Sequence, residues 1–403
     1  DDLAARLGPA AVETVLCRTA DRITGAVRAN DRVARIGETR FAVLLAPVRN
    51  AGMDVALRTV ERLQSVAAEP VSIDAVSVYV TLSAGFCMER RAPARNGPAL
   101  LEAAIAALDE ARAVGDGAVR AYSRDLRKRS HRQVSEGEHL ARALDEGHVT
   151  PWFQPQTDAR SGALTGVEAL ARWEDPDRGL IAPGDFLPLA EAAGLMERLG
   201  EVMLYHALAT LRRWDNEGLV VPCVGINFSQ AELSNPRLSE RVSWELDRFD
   251  LRPERLTVEI LETVAADASS DAVTANISAL AALGCGIDLD DFGTGSASIA
   301  NIRRFGVSRI KIDRSFVTRA DIDPQQRQML SAIISMARQL DLQTVAEGVE
   351  TEGEQRLLCD LGCDHVQGFL VARAMPMQEA AEWIRSQAAG GMPPEEDTRR
   401  ALG

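Results

Sequence analysis

Eight short apolar segments recur along the chain, at residues 152–156, 165–170, 223–228, 256–260, 285–290, 309–313, 343–347 and 365–370. Helical patterns lie between most of them. One places Leu330, Ile333, Ile334, Ala337 and Leu340 at i, i+3, i+4 spacing, the apolar stripe of an amphipathic helix. Eight strands joined mostly through helices within about 250 residues predict an α/β fold of the TIM-type (β/α)8 barrel rather than an open sheet.

The polar residues at the ends of these segments carry the chemistry. They are Glu168 after Val167, Asn227 after Ile226, Glu259 after Val258, Asp290-Asp291 after Leu289, Glu347 after Ala346 and Gln367 after Val366. Lys311 sits similarly in Ile310-Lys311-Ile312-Asp313. The C-terminal ends of barrel strands form one face, and active sites are built there. Residues far apart in sequence are therefore expected to meet at one rim. Five acids converging with Asn227 cannot all stay ionised unless cations neutralise them. Hard oxygen ligands without histidine or thiolate favour Mg²⁺ or Mn²⁺, and the adjacent Asp290-Asp291 suits two ions about 3.5–4 Å apart, the arrangement of phosphoryl-transfer sites. Lys311 would neutralise charge developing on the phosphorus centre. Any one of these acids alone reads equally well as a surface residue at a strand end. Six oxygen ligands at barrel-like intervals favour a site.

Composition narrows the partners. The 59 acidic and 45 basic residues leave a net charge of −14, against a broad basic face for bulk nucleic acid or an anionic membrane. A small anionic ligand remains compatible, because local charge and metals override the global field. No apolar run reaches the roughly 18 residues that predict a membrane span, and no signal peptide is visible. Six cysteines without a Cys-x-x-Cys spacing, and only five histidines, argue against a zinc cage or a disulfide framework. Buried thiols in a reducing cytoplasm are expected. The chain opens on Asp1-Asp2-Leu3, which suggests a fragment with a sensor or anchor upstream.

At 403 residues, two or three domains are expected. The charged stretch 123–137 reads as a solvated, helical connector between a first domain over 1–122 and a barrel over 138–388. The Gly/Pro/acid-rich residues 389–403 read as a disordered tail.

The segment Glu168-Ala169-Leu170-Ala171-Arg172-Trp173 resembles the signature of EAL domains, the cyclic di-GMP phosphodiesterases. The resemblance covers residues 136–386 and includes Gln154-Pro155, Asn227-Phe228-Ser229, Asp290-Asp291-Phe292-Gly293-Thr294-Gly295, Lys311-Ile312-Asp313-Arg314-Ser315-Phe316-Val317, Ala346-Glu347-Gly348-Val349-Glu350-Thr351 and Gln367-Gly368-Phe369. It implies hydrolysis of one phosphodiester of cyclic di-GMP to linear pGpG, with two Mg²⁺ or Mn²⁺ ions per site. Glu168, Asn227, Glu259, Asp290, Asp291 and Glu347 resemble the family's metal ligands, and Lys311 its catalytic lysine. Gln367 resembles a residue orienting the metal–water shell. Arg172 resembles the phosphate contact, with Gln154 and Asp313 also toward the substrate. The planar fork of a guanidinium suits phosphate oxygens, although a rim salt bridge is the other reading of Arg172. Glu262 resembles the glutamate that holds the loop after Asp291. A homodimer through this domain is implied too. The family's usual aromatic-serine pair is replaced by Ser296-Ala297 in that loop, and a common proline by Ala374. No ligand position is lost, which favours an active enzyme over the alternative, a non-hydrolysing cyclic di-GMP receptor or scaffold. A barrel hydrolase acting on another phosphodiester is a third reading.

Residues 1–122 resemble a truncated, degenerate GGDEF domain, the diguanylate cyclase fold, giving a partial α+β unit ahead of the barrel. The resemblance rests on Arg35-Ile36-Gly37-Glu38-Thr39-Arg40-Phe41, Val78-Tyr79-Val80-Thr81-Leu82-Ser83-Ala84-Gly85 and the apolar helix around Ala104–Ala111. Thr39 and Arg40 replace the aspartate and glutamate that a cyclase requires, and the strand bearing its other metal aspartate is expected to be missing upstream. The resemblance therefore implies a non-catalytic, regulatory domain. Arg28 and Asp31 stand at the spacing of that family's product-binding site; a helix-end ion pair accounts for them equally well.

Overall fold

Period-two alternation and short β-branched runs generate the strands of both units into which the chain divides, Asp1–Ser135 and Glu136–Gly403. The computed structural model describes residues 9–47, 52–73, 76–266, 271–293 and 304–388. The expected tail at 389–403 and the Ser296-Ala297 departure lie outside them.

The first unit mixes helices with short strands. Helix Pro9–Ala26 leads into the antiparallel hairpin β1 (Arg32–Arg35) and β2 (Phe41–Leu44). Helix Met53–Ala67 follows and buries Ala56, Val60, Leu63 and Ala67 along one stripe. The hairpin β3 (Val71–Ile73) and β4 (Val76–Val78) comes next, then β5 (Ala84–Phe86), which pairs in parallel with β6 (Val119–Ala121). Helix Gly97–Val114 connects these two. It starts where the Asn96 side chain accepts the Ala99 N–H and a proline occupies the first turn. Helix Arg124–Glu146 includes the division point; its last turns bury Leu140, Ala143 and Leu144.

The second unit is a closed eight-stranded barrel surrounded by helices. Its strands are β7 (Val149–Asp158), β8 (Leu164–Asp175), β10 (Val224–Asn227), β11 (Leu256–Leu261), β12 (Gly286–Phe292), β13 (Arg309–Ile312), β14 (Gln343–Ala346) and β15 (His365–Val366). The short β9 (Gly179–Ile181) extends β8 as a hairpin outside the ring. Pairing of β10 with β8 closes the cylinder. The eight apolar segments of the sequence each contribute one strand.

Two details depart from a plain (β/α)8 reading. First, β7 runs antiparallel to both of its neighbours, β8 and β15, because residues 159–163 between β7 and β8 leave room for a tight turn and no helix. Second, Glu168 lies mid-strand and not at a tip. Strand β8 continues to Asp175, beyond the ring, to pair with β9.

The surrounding helices follow their sequence signals. Helix Pro324–Gln339 is capped by Asp323 and buries Leu330, Ile334 and Ala337. Helix Glu352–Leu361 begins with a Thr351/Glu354 capping box and ends at Gly362 in the left-handed region. All six cysteines are free; Cys285 and Cys363 are buried, three are half-buried and Cys17 is exposed. The expectation of buried thiols holds at Cys285 and Cys363 and fails at Cys17, whose helix has a solvent face.

Candidate active site

Strand residues alternate between faces, so polar residues at every second position of β8, β11, β12 and β13 share the barrel interior. Register sets their height: Glu168 lies opposite Gly225 and Gln154, Asn227 opposite Glu259, and Glu259 opposite Asp288. Gly225 is there for space, since a Cβ at that position would fall on the Glu259 carboxylate.

Lys311 is the hub. Its ammonium, on a side chain that is 1% exposed, contacts Glu259 at 2.8 Å, Glu347 at 2.8 Å, Asp290 at 3.2 Å and Glu168 at 3.3 Å. Burial alone would favour the neutral amine. The Glu168, Glu259, Glu347 and Asp290 carboxylates more than reverse this and hold the lysine well above its usual pKa.

One cation does not balance the acids around it. Burial, with the charge of Glu168, pushes Glu259 well above the usual carboxylate range, and its Oε1 is buried without a hydrogen-bond partner. Burial pushes Glu347 up to about 8 and raises Asp290 and Asp291, with Asp290 and Asp313 adding to the latter. Glu168 goes the other way. The cost of its burial is outweighed by Lys311 and by hydrogen bonds from Gln367 and Asn227.

Consecutive strand residues ordinarily face opposite sides, so Asp290 and Asp291 require a device to meet. Strand β12 supplies it. The register with β13 shifts between Leu289 and Phe292, and Asp291 adopts φ 54°, a left-handed conformation that aspartate tolerates better than most residues. Carboxylate oxygens of Asp290, Asp291 and Glu347 consequently lie within 4.8 Å of one another, as do those of Glu168, Glu259 and Asp290. The two groups share Asp290. An orphaned oxygen, two clusters of hard oxygen donors and an excess of acids over bases together fit divalent cations of the Mg²⁺ or Mn²⁺ type.

The amides brace the carboxylates. Asn227 donates to Glu168 at 2.8 Å and, more weakly, to Glu259 at 3.4 Å. Gln367 donates to Glu168 at 2.6 Å and to Gln154 at 3.2 Å, and Gln154 donates to the Ala372 carbonyl. Arg172 is half-buried, donates to the Ala171 carbonyl and lies 5.7 Å from the Trp152 ring centroid. Asp313 caps helix Arg314–Val317 through the Ser315 N–H. Glu262 is buried, and its Oε2 accepts the Gly293 N–H at 2.7 Å, at the start of the segment following Asp291.

Some supporting residues escape a reading by strand ends. Gln156 is buried and donates to Gln367 Oε1 at 2.9 Å; its signal in the sequence is two-residue alternation from Gln154. Glu354 accepts the Glu350, Thr351 and Arg319 N–H groups and so fixes the loop leaving Glu347. The T-x-x-E pattern of a capping box announces it.

In the first unit, Arg28 and Asp31 meet through the backbone. Asp31 accepts the N–H of Arg28 at 2.9 Å and of Ala46 at 2.8 Å, and these bonds, Ala46 foremost, lower its pKa. Arg40, in the β1–β2 hairpin, pairs with Asp109 at 3.2 Å.

The EAL domain family model matches residues 138–374, the stretch that holds the carboxylate cluster, and the diguanylate cyclase GGDEF domain model matches residues 2–118. The chain belongs to the EAL family, with a GGDEF domain in tandem before the barrel. It is 34% identical over 367 residues to the Bifunctional diguanylate cyclase/cyclic di-GMP phosphodiesterase MucR of Pseudomonas aeruginosa, covering 91% of this chain and 53% of that protein. It is 31% identical over 390 residues to the Cyclic di-GMP phosphodiesterase NbdA of the same organism, covering 96% and 49%. The chain thus spans about half the length of these curated relatives. Among solved structures, the PaMucR Phosphodiesterase in complex with c-di-GMP aligns with TM-score 0.58 and 39% identity, over 61% of this chain and 99% of that one. The EAL barrel places Glu168, Asn227, Glu259, Asp290, Asp291, Lys311, Glu347 and Gln367 together. Arg28 and Asp31 lie in the GGDEF unit.

Proposed function

We propose that the EAL barrel is a metal-dependent phosphodiesterase that hydrolyses cyclic di-GMP to linear pGpG. The observation that carries this reading is the acid cluster around Lys311, with two three-carboxylate groups sharing Asp290. Similarity to relatives named for this activity and to a c-di-GMP complex supports the substrate.

Glu168, Asn227, Glu259, Asp290, Asp291 and Glu347 would hold two Mg²⁺ or Mn²⁺ ions. Such ions, when bound, polarise phosphate oxygens and acidify water. The protein's own groups do the rest. Gln367 and Asn227 hold the Glu168 carboxylate in one orientation. Lys311 keeps its ammonium fixed among Glu168, Glu259, Asp290 and Glu347, so its positive field opposes their charge and favours the charge that grows on the phosphoryl oxygens as water attacks. The new bond joins the water oxygen to phosphorus, and the bond from phosphorus to one ribose 3′-oxygen breaks. The water's proton leaves to that oxygen's side, giving a 3′-hydroxyl and a 5′-phosphate end. Arg172 presents its fork to the phosphate, while Gln154 and Asp313 face the substrate from the rim. Glu262 steadies the segment after Asp291 through the Gly293 N–H.

The GGDEF unit is proposed to be regulatory and not a cyclase. Arg40 puts a cation, engaged with Asp109, where a cyclase has an acid, and both Asp31 oxygens are committed to backbone N–H groups. Asp31 therefore braces the β1–β2 hairpin, which leaves Arg28 to meet any nucleotide. Assembly as a homodimer through the EAL domain belongs to the same proposal.

Incubation with cyclic di-GMP and Mg²⁺, followed by nucleotide chromatography, is expected to yield pGpG. The Glu168→Ala variant is expected to lose turnover together with Mn²⁺ binding measured by calorimetry. Saturable binding without pGpG would make the protein a receptor, and full activity in Glu168→Ala would refute the site.

A further inference from the structure

Beneath the acid cluster, the barrel interior holds a second charged pair that the reaction does not use. Asp288 and Arg309 are register partners on β12 and β13. Arg309 Nε lies 3.0 and 2.9 Å from the two Asp288 oxygens and its Nη2 lies 2.6 Å from Oδ2. The Asp288 side chain is 0% exposed and that of Arg309 is 9% exposed. Such a pair is a poor way to gain stability, since the cost of desolvating two charges commonly matches their attraction. Its position suggests another role.

The rung Asp288↔Arg309 is followed by Leu289↔Ile310, and the next pairing is Phe292↔Ile312. Asp290 and Asp291 thus stand opposite the single residue Lys311. That is a bulge, two rungs above the ion pair. A strand's facing is reversed by a one-residue slip. A slip of β12 against β13 would exchange which aspartate meets Lys311, and Asp290 belongs to both carboxylate groups.

We propose that Asp288 and Arg309 are positioning residues, a register clamp whose fork fixes β12 against β13 so that the bulge delivers Asp290 to Lys311 and Asp291 beside it. This inference rests on reading the acid cluster as a divalent-cation phosphodiesterase site. The clamp acts through geometry and touches neither substrate nor metal.

The test compares four full-length proteins: wild type, the apolar double variant Asp288→Leu/Arg309→Met, the swapped pair Asp288→Arg/Arg309→Asp, and the charge-preserving pair Asp288→Glu/Arg309→Lys. Melting temperature, affinity for Mn²⁺ alone by calorimetry, and kcat and KM for cyclic di-GMP are measured for each. The apolar variant is expected to melt at or above the wild-type temperature. Its Mn²⁺ affinity and kcat are each expected to fall at least tenfold, with KM changed less than twofold. The swapped pair is expected to recover kcat to within about threefold of wild type. Retention of wild-type Mn²⁺ affinity and kcat in the apolar variant would overturn the clamp, as would loss that tracks melting temperature and is not recovered by the swap. Should the apolar variant not fold, the charge-preserving pair decides: a kcat loss near fivefold supports the clamp and an unchanged kcat overturns it. A wild-type protein that binds Mn²⁺ but leaves cyclic di-GMP intact would defeat the phosphodiesterase reading, and the clamp would then be judged on Mn²⁺ affinity alone.

Discussion

At the residue scale, Lys311 is the group on which four carboxylates depend. Lys311→Met would leave those acids buried without a cation, and removing one partner of a buried charge cluster costs about 3–5 kcal/mol. The variant is expected to melt well below wild type in chelator, to recover part of the difference on addition of Mn²⁺, and to lose kcat at least 100-fold. Melting curves with and without metal, together with turnover, check this. Most of the cluster was legible because Glu168, Asn227, Glu259, Asp290, Asp291 and Glu347 each follow an apolar run. Glu168 stands in the expected cluster but mid-strand and not at a strand tip, since β8 continues past it. Gln156, Asp288 and Arg309 were not found. They lie inside or at the start of strands, where an inward polar side chain has no sequence mark beyond alternation.

At the scale of elements, the loops after the strands need anchors of their own. The segment from Glu347 to Thr351 is held by Glu354, whose carboxylate takes three backbone N–H groups, while Thr351 caps the following helix. Thr351→Ala is expected to cost about 1 kcal/mol and to lower kcat more than it raises KM, as Glu347 loses definition. Denaturant titration and steady-state kinetics measure the two effects. Helices were readable because their apolar stripes are local signals. The reversed direction of β7 was not, since strand polarity depends on which neighbours a segment finds in space. The bulge in β12 was equally hidden: it is a property of two strands, and Asp290-Asp291 read alone predicts opposite faces.

For the whole molecule, the acid cluster ties stability to pH and metal. In metal-free protein, Glu347 with a pKa of about 8 and the raised Glu259, Asp290 and Asp291 bind protons in the folded state that the unfolded chain has released above about pH 4.5. The folded state then holds more protons, so stability falls as pH rises, by up to about 1.4 kcal/mol per pH unit for each such proton. The expected result is a melting temperature in chelator that declines from pH 5.5 to 8.5 and a flatter profile in Mn²⁺. A profile that rises with pH in chelator would contradict the charge assignment. The tandem also predicts an asymmetry between its halves: incubation with GTP and Mg²⁺ is expected to give neither cyclic di-GMP nor pGpG, by the same chromatography.

The reversed first strand of the barrel has a mechanical consequence. Val149 pairs with Trp173, and the Glu174 N–H donates to the His148 carbonyl, both beyond Glu168 on the side where the acids gather. The polypeptide is threaded into the cylinder from its working end, whereas an all-parallel barrel would admit it through the floor. His139, on the incoming helix, lies 3.0 Å from Asp175 of β8. A pull or twist on residues 136–148 is therefore applied within a few residues of Arg172, with no need to travel the length of the cylinder.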